Sequence, residues 1–339
     1  MKFKSLFLVA GCAFALVACQ QKSQGRVPDW PWGGDDEEED ERTEWTLVAD
    51  DVFGKLPDYV KLYQSPSRLL GDKAIAYVAE VDLTKTSFEV WGLDAPDLNG
   101  SDEPLQTPSE AYENLGHPCI VINGGYFYTD SGRSYSSSLE VSNGKLLSPN
   151  LNYTSRDWVT MYYPTRAAFI EHEDGTYEVA WTYWKDADHH YLYDEPAKNS
   201  WDEKPLKTPD ATFPVEARAF EAKNAIGGSP VLIKGGEILN TYQEELIDIE
   251  AYLDAPRTAI GITKDRKTLV LFVCEGRNMT PDVPGYTTGE VAKILKEYGC
   301  EDAMNLDGGG STLMLVNGNE TLLPSDGHQR AVGSVVYIR

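Results

Sequence analysis

Leu269-Val270-Leu271-Phe272-Val273, then Thr287-Thr288-Gly289-Glu290 with Val291, Ile294, Leu295 and Tyr298, then Ala303-Met304-Asn305-Leu306-Asp307-Gly308-Gly309-Gly310 follow one another along the chain. The first and third stretches are short apolar runs that predict buried strands. The middle stretch opens with a threonine and a glutamate spaced as a capping box, and its apolar residues recur at i, i+3, i+4 and i+7, which predicts an amphipathic helix ended by Gly299. Strand, helix, strand of this length predicts a right-handed crossover between parallel strands. Both strands then end at one rim, bringing Glu275-Gly276-Arg277 and Asp307-Gly308-Gly309-Gly310-Ser311 to the edge where ligands of such sheets bind. The expected class is α+β (mixed α/β): a strand-rich mixed sheet with at least one βαβ crossover and few helices.

A second helix precedes this unit. Thr107-Pro108-Ser109-Glu110 places a cap, a proline at the first helical position and a glutamate at the third, and Gly116 closes the helix after Leu115. It leads into a strand at Cys119–Ile122 that ends in Asn123-Gly124-Gly125-Tyr126-Phe127, a third glycine-flanked polar cluster if that strand joins the same sheet. Further strands are expected at Ala74–Val81, Phe88–Trp91, Val159–Tyr163, Ala167–Glu171, Tyr177–Trp184, Val231–Ile233, Thr258–Ile262 and Val332–Ile338. An Asp174-Gly175 turn joins two of them as a hairpin.

The N-terminus reads differently. Lys2 and Lys4 precede an apolar run too short to span a bilayer, and Leu16-Val17-Ala18-Cys19 resembles a bacterial lipobox. That resemblance implies a signal peptide over residues 1–18, cleavage before Cys19 and lipidation of its thiol. Residues 19–42 form an acidic flexible tether, since Asp35 to Glu41 is an unbroken run of like charges that repel one another. The globular part divides into an N-terminal portion over 43–118 and a main domain over 119–339. The expected location is the cell envelope, anchored by lipid on its periplasmic or cell-surface side.

The formal net charge of −24 excludes a general nucleic-acid binder, which needs a basic face. It also requires any phosphate-bearing ligand to find a local basic pocket against an adverse long-range field. Of the cysteines beyond the leader, Cys119, Cys274 and Cys300, none sits in a CxxC pair, and an obligatory disulfide is not expected. The histidines offer no metal pattern; His189 and His190 are adjacent and point to opposite faces of a strand. No GxSxG supports a serine nucleophile.

Asn123-Gly124-Gly125 and Asp307-Gly308-Gly309-Gly310 share one logic. A polar side chain ends a strand, and glycines let the backbone approach a ligand with its amides exposed. Asp307, at the end of an apolar strand, is the first candidate for a catalytic group and Glu275 the second, although a turn aspartate and an ion-paired strand-end glutamate would leave the same trace. Arg257, Arg277 and Arg330 are the candidate phosphate ligands or, equally, surface ion pairs. Asp307, Glu275 and Asn123 could supply oxygens to a divalent cation, but no spacing demands one. The aromatics from Tyr177 to Trp201 either stack on sugars or fill the core.

Asn123-Gly124-Gly125-Tyr126-Phe127, Gly227-Gly228-Ser229-Pro230-Val231-Leu232, Pro256-Arg257-Thr258-Ala259-Ile260-Gly261, Glu275-Gly276-Arg277 and Met304 to Thr312 together resemble the phosphodiester glycosidase domain. That domain is found in exopolysaccharide-related bacterial proteins and in N-acetylglucosamine-1-phosphodiester α-N-acetylglucosaminidase. Glu275-Gly276-Arg277 departs from the Asp-Gly-Arg of many relatives. The resemblance implies hydrolysis of a sugar-1-phosphodiester, giving free sugar and a phosphomonoester. It implies catalysis by Asp307 and Glu275, and substrate contacts from Asn123, Gly124, Gly125, Tyr126, Gly228, Ser229, Arg257, Arg277, Gly308, Gly309, Ser311 and Arg330. The partners expected are a sugar-phosphate or glycan and a membrane. A non-catalytic glycan-binding lipoprotein or an exopolysaccharide assembly factor would keep the same pocket without the turnover.

Overall fold

A computed structural model describes residues 42–339. The signal peptide, Cys19 and all of the tether except Arg42 lie outside the described residues. Among the described residues no helix is long and apolar enough to cross a membrane.

Strands dominate. An eight-stranded sheet runs in the order Thr46–Leu47, Val60–Gln64, Ala76–Asp82, Thr268–Cys274, Arg257–Thr263, Cys300–Asn305, Val231–Lys234, Glu237–Ile238. A seven-stranded sheet centres on Asn224–Gly227, Arg166–Glu171 and Tyr177–Asp186, and a five-stranded sheet places Ile120–Asn123 between Met314–Val316 and Ser334–Ile338. The N-terminal portion supplies edges to these sheets: Val60–Gln64 and Ala76–Asp82 join the first, Glu89–Gly92 the third.

The crossover read from the sequence takes another form. Thr268–Cys274 and Cys300–Asn305 do run in the same direction, because each pairs antiparallel with Arg257–Thr263. They are not hydrogen-bonded neighbours, since Arg257–Thr263 lies between them, and every pairing in the sheet is antiparallel. The physical reason is a hairpin. Asp265 accepts from the Thr263 hydroxyl and the Lys267 amide, closing a tight turn that folds one strand back on the next before the helix begins. The two strand ends still open at one edge. The third cluster arrives from the five-stranded sheet instead of joining this one.

Both helices form where their caps lie. Pro108–Asn114 and Thr288–Tyr298 each start from a threonine that accepts the amide three residues on while the glutamate there reaches back. Gly299 ends the second helix in the left-handed region. Its stripe of Val291, Ile294 and Leu295 packs on Val270, Phe272 and Ala303 of the eight-stranded sheet. The alternate residues of that sheet, Leu271, Val273 and Ile260, face Phe169, Val179 and Trp181 of the seven-stranded sheet. The eight-stranded sheet is thus buried on both faces, which accounts for its continuous apolar runs.

One expectation needs correction and one open alternative is settled in part. Val159–Tyr163 is not a strand but part of a loop whose tip, Trp158-Val159, is exposed. Asp157 accepts from the amides of Val159 and Thr160 and from the Thr160 hydroxyl, turning the chain outward so that only Tyr162 pairs, in a single bridge to Thr154. Of the aromatics read as either core or sugar-stacking, Tyr177, Trp181 and Tyr183 are buried in the core, as is Tyr193 on the next strand, while Trp184 is half-buried.

Candidate active site

The five-stranded and eight-stranded sheets meet at Asn123. Its side-chain oxygen accepts from the Thr258 hydroxyl (2.7 Å) and the Leu313 amide (3.1 Å), and its amide nitrogen donates to the Asp307 carbonyl (2.7 Å). Asp307 in turn donates its backbone N–H to the Gly124 carbonyl. The clusters ending Ile120–Asn123 and Cys300–Asn305 are therefore joined by direct bonds, although they belong to different sheets. Asn123 is fully buried with its strong contacts taken, so it fixes Asp307 in place and leaves little capacity for a ligand.

Asp307 keeps some accessible surface, yet its carboxyl lies deep among protein atoms. That burial raises it to about 6; the Ser311 hydroxyl, the Gly308 amide and the charges of Arg330 and Arg257 pull the other way without winning. The Gly308 amide bond is well formed at 2.9 Å. The Ser311 hydroxyl is close enough to act on the carboxyl but makes no hydrogen bond of good geometry, and it is buried. The Thr312 hydroxyl and the Asn305 side-chain oxygen are likewise buried without partners. Three of the orphaned buried polar atoms among the described residues thus fall within eight residues of one another around this strand end.

The glycines after Asp307 admit arginines more than they expose amides. A β-carbon on Gly309 would stand 2.9 Å from Nη2 of Arg277, and one on Gly310 would stand 2.2 Å from Nη2 of Arg330. Gly308 lies against the Pro256 carbonyl, at 2.9 Å by the same measure. Arg330 is held by Asp326 (2.7 Å) and Arg277 by the Ser325 hydroxyl (3.2 Å), both from the loop before the last strand. Arg257 is buried, and its guanidinium donates to the carbonyls of Tyr286, Glu250 and Leu253. Its charge reaches Asp307, but most of its donors are spent on holding the 250–253 loop.

Glu275 emerges at the same edge, buried, and accepts the Thr280 amide at 2.7 Å. It thereby closes the loop that carries Arg277. Gly228 and Ser229 also act as support. The Gly228 amide donates to Ala167 and the Ser229 amide to Asn305, while the Ser229 hydroxyl donates to Glu245. The Gly125 amide donates to the Ser334 hydroxyl and the Tyr126 amide to the Ser138 hydroxyl. The Tyr126 phenol donates to the Ser229 carbonyl (2.6 Å) and receives the Asn305 amide (2.9 Å). Burial and the nearby Asp307 charge raise its pKa far above the ordinary phenol range, so it stays protonated.

Sequence reasoning missed Glu245. This buried carboxylate accepts from the amides of Ala167 and Val231, the Trp181 indole and the hydroxyls of Thr241 and Ser229. It knits the floor of the site from three segments. It lies in an ordinary acidic loop with no local pattern, so only tertiary structure could single it out. Among the described residues no group of histidine, cysteine and carboxylate side chains is arranged to hold a metal.

A buried carboxyl raised to about 6, within reach of the charges of Arg330 and Arg257, thus stands at the shared edge of two sheets. The chain belongs to the phosphodiester glycosidase family, whose sequence profile it matches over residues 117–339. Its fold is similar to the catalytic domain of zebrafish N-acetylglucosamine-1-phosphodiester α-N-acetylglucosaminidase auto-inhibited by its pro-peptide, with a TM-score of 0.57 at 22% identity over 87% of each chain. A hypothetical protein from Synechocystis is similar with a TM-score of 0.54 at 15% identity over 87% of this chain and 64% of that one. A putative exported protein of Burkholderia pseudomallei is similar with a TM-score of 0.52 at 15% identity, over 79% of this chain and 74% of that one. An uncharacterized SPbeta prophage-derived protein of Bacillus subtilis is 39% identical over 83 residues, which are 24% of this chain and only 12% of that protein's length.

Proposed function

We propose that the protein hydrolyses a sugar-1-phosphodiester of the N-acetylglucosamine-1-phosphate type. The observation that carries the reading is Asp307: a carboxyl raised to about 6 and surrounded by Arg257, Arg277 and Arg330. A group with that pKa is a competent general base near neutral pH. In the proposed step Asp307 takes a proton from water as the water oxygen bonds to the anomeric carbon. The anomeric C–O bond breaks, and its electron pair stays on the phosphate oxygen. A phosphomonoester, whose second pKa is about 6, leaves with little need of a proton donor. Glu275 accepts the Thr280 amide through one oxygen and is left in this reading to orient water or a sugar hydroxyl; an ordinary glycosidase needs a second carboxyl as acid. Family membership and the likeness to the zebrafish catalytic domain support the reaction class.

The lipobox-like Leu16-Val17-Ala18-Cys19 supports a place on the cell envelope with a glycan or sugar-phosphate as partner. Incubating the full chain with UDP-N-acetylglucosamine, a synthetic N-acetylglucosamine-1-phosphodiester and a neutral alkyl glycoside tests the reading. Free sugar is expected from the phosphodiester and not from the alkyl glycoside. Binding of the phosphodiester by folded protein without any release would instead establish a glycan-binding protein.

A further inference from the structure

Arg166 opens the strand Arg166–Glu171, is 8% exposed, and has no hydrogen bond or ion pair to its guanidinium. Its Nε is fully enclosed without an acceptor. Each of the other described arginines has an acceptor, among them Arg257 with three carbonyls, Arg330 with Asp326 and Arg218 with Glu178 and Asp194. The nearby Glu245 does not relieve it. That carboxylate exerts a favourable field on Arg166, but its oxygens are taken by five protein donors and stand beyond ion-pair distance. An enclosed cation with no bonded counter-charge is costly, and a fold keeps one where a ligand anion completes it.

The position of Arg166 says which ligand. The Gly228 amide bonds to the Ala167 carbonyl and the Ser229 amide to the Asn305 carbonyl, so a short backbone stair leads from Arg166 to the strand that ends in Asp307. Tyr126 stands on that stair, bonded to the carbonyls of Ser229 and Leu306, and its phenol senses Asp307 and Arg257 on one side and Glu245 on the other. Arg166 senses both Tyr126 and Glu245, placing it in the same polar interior. A displacement at the anomeric carbon needs the base and the departing phosphate on opposite faces of that carbon. Arg257 and Arg330 already have protein acceptors, so Arg166 is the guanidinium whose donors remain for a phosphate.

We propose that Arg166 is the phosphoryl-binding residue of this site, its free guanidinium taking the oxygens of a phosphate ester in bidentate fashion. The proposal rests on the hydrolase reading for the identity of the ester, but the anion site itself is testable without turnover.

The test is calorimetric titration of the full chain, wild type, Arg166→Gln and Arg166→Lys, with inorganic phosphate, with N-acetylglucosamine-1-phosphate and with N-acetylglucosamine. Wild type is expected to bind both phosphates, the sugar phosphate more tightly. Glutamine should weaken both at least tenfold, and lysine, which keeps the charge without the fork, should fall between. Binding of the neutral sugar should not change. Equal phosphate affinity in all three proteins, or none in wild type, overturns the proposal. Should glutamine disturb folding, wild type against lysine decides in the same way. Arg166-dependent phosphate binding without hydrolysis would uphold the anion site and sink the hydrolase reading alone.

Discussion

At Asp307 the protonation state links stability to activity. Its carboxyl is raised to about 6 in the folded protein, mainly by burial, against about 3.9 in an unfolded chain. Between those values the folded state holds a proton that the unfolded state has released, so stability falls as pH rises through the window and stays lower above it. Asp307→Asn removes the ionisable group. It should be more stable than wild type at pH 8, by on the order of 1–2 kcal/mol after allowing for water at the residue's exposed edge, and nearly equal to it at pH 4. Urea melts at the two pH values check this; an equal difference at both would show that the carboxyl is not raised. The same ionisation predicts that kcat/KM falls on the acid side with a midpoint near 6. The residue was legible in the sequence because an acid ending an apolar strand is a local pattern. Its neighbours were legible only as types. Arg257 and Arg330 look alike in the chain, yet one is buried against carbonyls and the other is half exposed beside Asp326. Arg166 and Glu245 went unread, because a single charged residue at a strand start or in a loop carries no signal until distant segments close round it.

Among the elements, the helices follow the sequence closely and the sheets only in part. A capping box is complete within four residues, so Thr107 and Thr287 announce their helices whatever lies around them. Strand partners are chosen by distant chain. The apolar run Leu269–Val273 looks the same whether its neighbour is parallel or antiparallel, and the hairpin through Asp265 decided it. The glycine clusters show a similar limit: the chain reveals that a side chain is excluded, not what excludes it. Gly228 and Gly310 separate these cases. A β-carbon at 228 would stand 2.2 Å from the Asn305 backbone carbonyl, which cannot retreat, whereas one at 310 meets the flexible ends of Arg330 and Asp326. Gly228→Ala should therefore cost about 1–3 kcal/mol or more of stability. Gly310→Ala should melt within a few degrees of wild type while losing at least tenfold in kcat/KM as Arg330 is displaced. Thermal melts beside kinetics distinguish the two, and equal destabilisation would contradict the account.

Across the whole molecule the site is an assembly of sheets, not the property of one. The eight-stranded sheet supplies Asp307, Glu275 and Arg257, the five-stranded sheet supplies Asn123, and the seven-stranded sheet supplies Arg166. Asn123 and Glu245 are the polar fasteners, each bonding at least three segments in a buried setting. Such networks stabilise only when fully satisfied, as these are. Four of the unsatisfied buried groups, Ser311, Thr312, Asn305 and Arg166, lie on the segments that build the site; Arg133, Glu140, His190 and Asn199 are the other four among the described residues. The strong negative charge of the chain opposes an anionic ligand at long range, so the proposed phosphate ester depends on these local arginines. The central claim is that Asp307 there activates the water that attacks the anomeric carbon. The most direct measurement is the rate of free-sugar release from an N-acetylglucosamine-1-phosphodiester by full-length wild type and Asp307→Asn, with circular dichroism to establish that both are folded. The account predicts a loss of about 10²–10⁴-fold in kcat with KM changed little. A folded Asp307→Asn protein that releases sugar at the wild-type rate would contradict it.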